Sequence, residues 1–144
     1  MSITKDCTLD RIKSAGEIVY RFLQPSPLLD HPLLSKHLGI NALVKHENHL
    51  PTGAFKVRGG LNFLHHYHGS GEARGVISAT RGNHGQSIAF AASKFQSRAT
   101  IVVPFGNNPE KNAAMSAFGA EVIEHGRDFD EARAFAAELA DAKG

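Results

Sequence analysis

One cysteine, Cys7, stands among 144 residues, which excludes an internal disulfide and a cysteine-built zinc site. No apolar run approaches the ~20 residues of a membrane-spanning helix. The first residues, MSITKDCTLDR, lack the apolar core of a signal peptide. A cytoplasmic protein with an inert Cys7 is therefore expected. Charge of one sign is lacking too: sixteen Lys and Arg face fourteen Asp and Glu, a formal net of +2. That balance excludes a polybasic binder of nucleic acid or of a membrane surface. The GxGxxG and GxxxxGK[ST] fingerprints of nucleotide sites are both missing. What is present suffices for a core. Hydrophobic residues make up 42% of the chain, too many for disorder. A chain of this length is one domain's worth and buries roughly two-thirds of its unfolded surface.

Apolar spacing predicts an amphipathic helix over Thr8–Leu23, with Leu9, Ile12, Gly16, Val19 and Leu23 on one face. Pro25, Pro27 and Pro32 then make Gln24–Pro32 an extended crossing segment. A short turn or helix follows at Leu33–Leu38. Strands are expected at Ala42–Glu47, Gly75–Ala79, Thr100–Val103 and Glu121–Glu124. Helices are expected at about Ala54–Tyr67, Gly85–Phe95, Pro109–Phe118 and Phe129–Lys143. This alternation argues for an α/β fold with an open, mostly parallel sheet, flanking helices and an N-terminal helical arm. Local signals support it. Asn108-Pro109-Glu110 supplies a cap, a proline at the first helical position and an acid in the first turn. Asp128-x-x-Glu131 has the form of a capping box, and Phe129, Ala132, Ala136 and Leu139 form the stripe behind it. Gly119 fits a helix stop.

In such sheets ligands bind beyond the carboxyl ends of strands. Two segments there could carry chemistry. Asn48–Gly60, NHLPTGAFKVRGG, places Lys56 at the start of a helix, against the helix dipole. A lysine in that setting is either a solvated surface group or an amine able to form a Schiff base. Ser78–Ser87, SATRGNHGQS, sets Gly82 and Gly85 around Asn83 and His84 at a helix start. Free backbone N–H groups there would welcome a carboxylate or phosphate. An ordinary glycine-containing turn explains the same residues equally well.

Taken together, these segments resemble a known family. Thr52-Gly53-Ala54-Phe55-Lys56-Val57-Arg58-Gly59 is similar to the T-G-S-F-K-x-R-G motif of fold-type II pyridoxal-phosphate enzymes. Ser78–Gln86 is similar to their S-x-x-x-G-N-H-x-Q loop, and Pro104–Val122 to the unit that follows. The threonine dehydratase and serine racemase group is the nearest in pattern. The resemblance implies the small domain of the tryptophan synthase β-like fold and a pyridoxal 5'-phosphate cofactor. It also implies a lyase that eliminates water from a hydroxy amino acid, giving a 2-oxo acid and ammonia. Lys56 would hold the cofactor and remove the substrate Cα proton. Phe55 would pack beside the pyridine ring, and Asn83 would bond the ring's 3′-oxygen. Ser78, Thr80, Arg81, Gly82 and His84 would form the substrate loop. Partners would be a small hydroxy amino acid, with neither nucleic acid nor membrane. Full-length relatives would be homo-oligomers.

Two departures qualify the resemblance. Arg81 stands where serine racemases carry an acid–base serine. A guanidinium stays protonated, so racemisation is disfavoured against elimination. Arg81 either points to solvent or pairs with a second substrate carboxylate, as in a hydroxyaspartate. The family's glycine-rich phosphate cup and its later half have no counterpart in this sequence. Residues 1–50 are therefore expected to be an arm belonging to a larger domain, and residues 51–144 the small domain with the lysine and the loop. The chain alone is expected to be inactive, and a non-catalytic or remnant domain is the competing reading. His65, His66 and His68 suit an exposed helix end better than a metal site. Lys111 is expected to be a solvated lysine near a helix start.

Overall fold

The computed structural model describes residues 7–71 and 74–143. Helix α1 (Leu9–Val19) starts at Thr8, whose hydroxyl accepts from the Arg11 N–H at 3.3 Å. It ends four residues before the expected Leu23. The stripe divides accordingly. Val19 and Leu23 are buried, whereas Leu9 and Ile12 remain exposed because the first turns of α1 extend past the core. Strand β1 (Leu28–Asp30) lies in the proline-rich segment. Pro32 opens α2 (Pro32–Leu38), which stops at Gly39 with φ +68.

The strand expected at Ala42–Glu47 is shorter, β2 (Leu43–Lys45), and lies outside the parallel sheet. It pairs antiparallel with β1, Leu29 opposite Val44. The reason is exposure. Leu43 and Lys45 are both exposed, and a strand within a parallel sheet must be covered on both faces.

The other expected elements form close to their predicted places. They are α3 (Lys56–Gly69), β3 (Val76–Ala79), α4 (Asn83–Lys94), β4 (Ala99–Val103), α5 (Pro109–Ala117), β5 (Glu121–Glu124) and α6 (Phe129–Lys143). The sheet runs β3-β4-β5 and is parallel throughout. Strand β4 is central and fully buried. Its side chains alternate. Ile101 and Val103 join the larger cluster with Val57, Leu61 and Leu64 of α3 and Met115 of α5; Val102 meets Ala132 and Ala136 of α6. Each fully buried side chain of that size contributes roughly 1.5–3 kcal/mol. Strand β3 is one sheet edge, half-buried along its length and free of charged residues.

Caps act largely as their sequences predict. Asn108 Oδ1 accepts from the N–H groups of Glu110 and Lys111. Asp128 Oδ1 accepts from those of Asp130 and Glu131, but Glu131 returns its bond one residue further back, to Arg127. Gly119 ends α5 at φ +90. Among the described residues, no helix is long and apolar enough to cross a membrane.

Two contacts fix α3. The Arg58 guanidinium binds both Glu47 oxygens, at 2.8 and 3.0 Å, and donates to the Tyr20 hydroxyl at 3.3 Å. Ser26 donates to the same carboxylate. Arg58 thereby ties the segment after α1 and the turn after β2 to α3, and its hydrogen bonds hold the Glu47 carboxyl below the usual carboxylate range. On its other side α3 meets α4 at Gly60. A Cβ there would lie 2.4 Å from Ser87 Oγ and 2.7 Å from the Ser87 carbonyl oxygen. Gly60→Ala is expected to force the helices apart and destabilise the fold by about 1–3 kcal/mol, read as a lower urea midpoint. An unchanged midpoint would show that the crossing is loose.

Candidate functional site

The lysine segment is built from the turn upward. Gly53 sits at φ +62, where a side chain would be strained. Buried Thr52 donates its hydroxyl to the Ala54 carbonyl at 3.2 Å. Phe55 then leads directly into α3, and Lys56 is the helix's first residue. Ser87 of α4 reaches across and donates to the Lys56 carbonyl at 2.6 Å. The backbone of the lysine is thus pinned by the neighbouring helix while its side chain stays exposed. Lys56, Phe55, Phe63, Ser78, His84 and Ile88 line an open cleft of about 980 Å³ between α3 and the β3 edge. Phe55 is 63% exposed.

The second segment follows β3. Thr80 is buried, and its Oγ1 accepts from the N–H groups of Gly82 at 3.0 Å and Gly85 at 3.2 Å. Gly85 has no room for a side chain: a Cβ would lie 2.4 Å from Met115 Sδ and from Thr80 Cγ2. Thr80 therefore shapes the loop from beneath. Helix α4 begins two residues earlier than expected and takes in Asn83 and His84. As its first two residues, they have N–H groups with no carbonyl one turn back to receive them. The dipole and these donors favour an anion at this point. The Arg81 side chain is exposed and forms no ion pair among the described residues. The Asn83 Oδ1 accepts from Lys111 Nζ.

Of the residues expected at the site, Phe55, Lys56, Ser78 and His84 share one cleft wall. Arg81, Gly82 and Asn83 stand at the start of α4, and Thr80 lies below them. Sequence reasoning missed Gly60 and Ser87, whose meeting joins the two segments. The adjacent glycines 59 and 60 inside a helical pattern were the available signal. It also took Lys111 for a solvated lysine, whereas its stem covers Gly82 and its ammonium binds Asn83. The three histidines at the end of α3 converge with no other ligand: among the described residues, no cluster of metal-ligating side chains forms.

Burial first, and the Lys56 charge second, lower the His84 pKa below its ordinary value. The sign follows from linkage. The unfolded chain binds this proton more readily than the folded one. Stability from this group is therefore complete above about pH 6.5 and falls as pH drops through the lowered value. In His84→Gln, stability measured by urea unfolding should decline less steeply below that pH. Parallel curves for the two proteins would refute it.

A family model described as "Pyridoxal-phosphate dependent enzyme" matches residues 19–144. The biosynthetic L-threonine dehydratase of Pasteurella multocida is 41% identical over 125 residues, covering 87% of this chain and 24% of that enzyme. Processed threonine deaminase isoform 2 of Solanum lycopersicum superimposes with a TM-score of 0.81 at 32% identity, over 96% of this chain and 42% of that one. A pyridoxal 5'-phosphate-dependent aspartate racemase superimposes with a TM-score of 0.86 at 29% identity, over 95% of this chain and 43% of that one. The chain thus spans less than half the length of each of these proteins.

Proposed function

The chain belongs to the pyridoxal-phosphate dependent enzyme family, and from that footing we propose that it is the lysine-bearing, substrate-loop portion of a cytoplasmic ammonia-lyase of the threonine dehydratase kind. The observation that carries this reading is the sharing of one cleft by Lys56, Phe55, Ser78 and His84, beside the open N-terminus of α4. The residues suit the aldehyde and ring end of the cofactor. Lys56 offers an exposed amine, Phe55 an exposed aromatic ring, and Asn83 an amide nitrogen with no partner among the described residues. The bound cofactor supplies the electron sink that makes loss of a Cα proton feasible.

The residues of this portion would supply part of the rest. Lys56 Nζ would hold the cofactor and, once displaced from it by the substrate amine, would be the general base for the Cα proton. The N–H groups of Asn83 and His84, with the α4 dipole, hold the substrate carboxylate. Ser87 and Gly60 keep the lysine and these donors in register. Partial burial and the Lys56 charge lower the His84 pKa, which disfavours a second positive charge beside Lys56. Arg81 supplies no removable proton for the opposite face of Cα, so elimination is favoured over racemisation.

A second reading concerns the substrate. The Arg81 guanidinium forms no ion pair among the described residues and stands at the substrate loop, which suits a hydroxy amino acid with a second carboxylate. Threonine and serine lack that group. Arg81→Ala would then weaken use of a hydroxyaspartate and spare threonine.

The test uses the 144-residue chain. Incubation with pyridoxal phosphate followed by borohydride should fix the cofactor on Lys56, read by peptide mass, and Lys56→Ala should abolish the adduct. Labelling spread evenly over surface lysines would sink the proposal.

A further inference from the structure

Lys111 occupies a place that electrostatics alone would not choose. It is the third residue of α5, where Asn108 caps its N–H, and it reaches to the first residue of α4. Both helices present their positive ends there, and neither favours an ammonium. The side chain is nonetheless half-buried and held at two points. Its stem runs over Gly82, so closely that a Cβ on Gly82 would lie 2.7 Å from Lys111 Cδ. Its ammonium donates to Asn83 Oδ1.

The donor inventory decides what this contact does. An ammonium has three donors and no acceptor. Only the oxygen of the Asn83 amide can receive it, so the amide is locked in one of its two flips. The planar group then presents Nδ2, with both hydrogens, on the side away from Lys111. That nitrogen has no hydrogen-bond partner among the described residues. In the opposite flip, Asn83 would present an acceptor on that side and repel an anionic oxygen.

We propose that Lys111 is a positioning residue: it fixes the Asn83 amide so that Asn83 acts only as a hydrogen-bond donor toward an anionic ring oxygen bound beside Lys56. The part concerning the ring oxygen rests on the cofactor reading above. The locking of the amide does not. Gly82 is required for the same reason, since any side chain there would displace the lysine stem.

The Lys111→Met variant keeps the stem over Gly82 and removes the ammonium, and Lys111→Arg restores a donor. The side-chain amide signals of Asn83 are followed by ¹⁵N-resolved NMR in the 144-residue chain without cofactor. The expected result is a shift of the two Asn83 Nδ2 protons in Lys111→Met, restored in Lys111→Arg, with backbone signals outside α4 and α5 unchanged. Identical Asn83 signals in wild type and Lys111→Met would overturn the proposal. Pyridoxal phosphate is then added. The Asn83 Nδ2 protons should respond in wild type and lose that response in Lys111→Met. Cofactor fixed on Lys56 with an equal Asn83 response in both proteins would overturn the positioning role and leave the cofactor reading standing. No fixation on Lys56 would sink the cofactor reading, while the cofactor-free comparison still decides whether Lys111 locks the amide.

Discussion

The approach of α3 to α4 at Gly60 and Ser87 is the constraint on which the site depends. Two helices can come this close only where one has no side chain, and Gly60 supplies that gap. The Ser87 hydroxyl fills it and bonds the Lys56 carbonyl. A buried hydroxyl must find a partner, so the same bond that satisfies Ser87 also sets the height of Lys56 on α3. Lys56 and the start of α4 are far apart in sequence, yet they meet because this one crossing is tight. The fully buried Leu61 and Leu64 hold it closed from below.

A second tie works at longer range. Arg58 lies two residues beyond Lys56 and binds Glu47 and Tyr20. Lysine and arginine of one short motif thus anchor to different neighbours. The lysine segment is gripped from α4 through its backbone. The arm is gripped from α3 through a guanidinium whose fork fits a carboxylate at both oxygens. Sequence spacing shows the two cations, but only the fold shows that one is structural.

Features set by neighbouring residues were legible in the sequence. Asn108 and Asp128 cap because their side chains reach N–H groups two and three residues on. Lys56 begins α3 because a Thr-Gly turn precedes it. The central strand is readable from Thr100–Val103 because both its faces are buried. What escaped is what depends on distant partners. Strand β2 has a reasonable strand sequence, but its neighbour β1 comes from a proline-rich stretch and decides its direction. Leu9 and Ile12 carry the right period for a buried face, yet periodicity says nothing of whether a partner lies opposite. Lys111 reads as solvated because its partner Asn83 is 28 residues away.

The two sheet edges differ in charge. Strand β5 begins and ends with exposed glutamates, Glu121 and Glu124, whose charge discourages another strand from adding. Strand β3 is Val-Ile-Ser-Ala, without charge or proline, and borders an apolar trough with Phe63 and Ile88. Its charges lie outside the strand, at Arg74 and Arg81. Charge thus opposes strand addition at β5 and not within β3, so the two edges of one sheet are unequally protected.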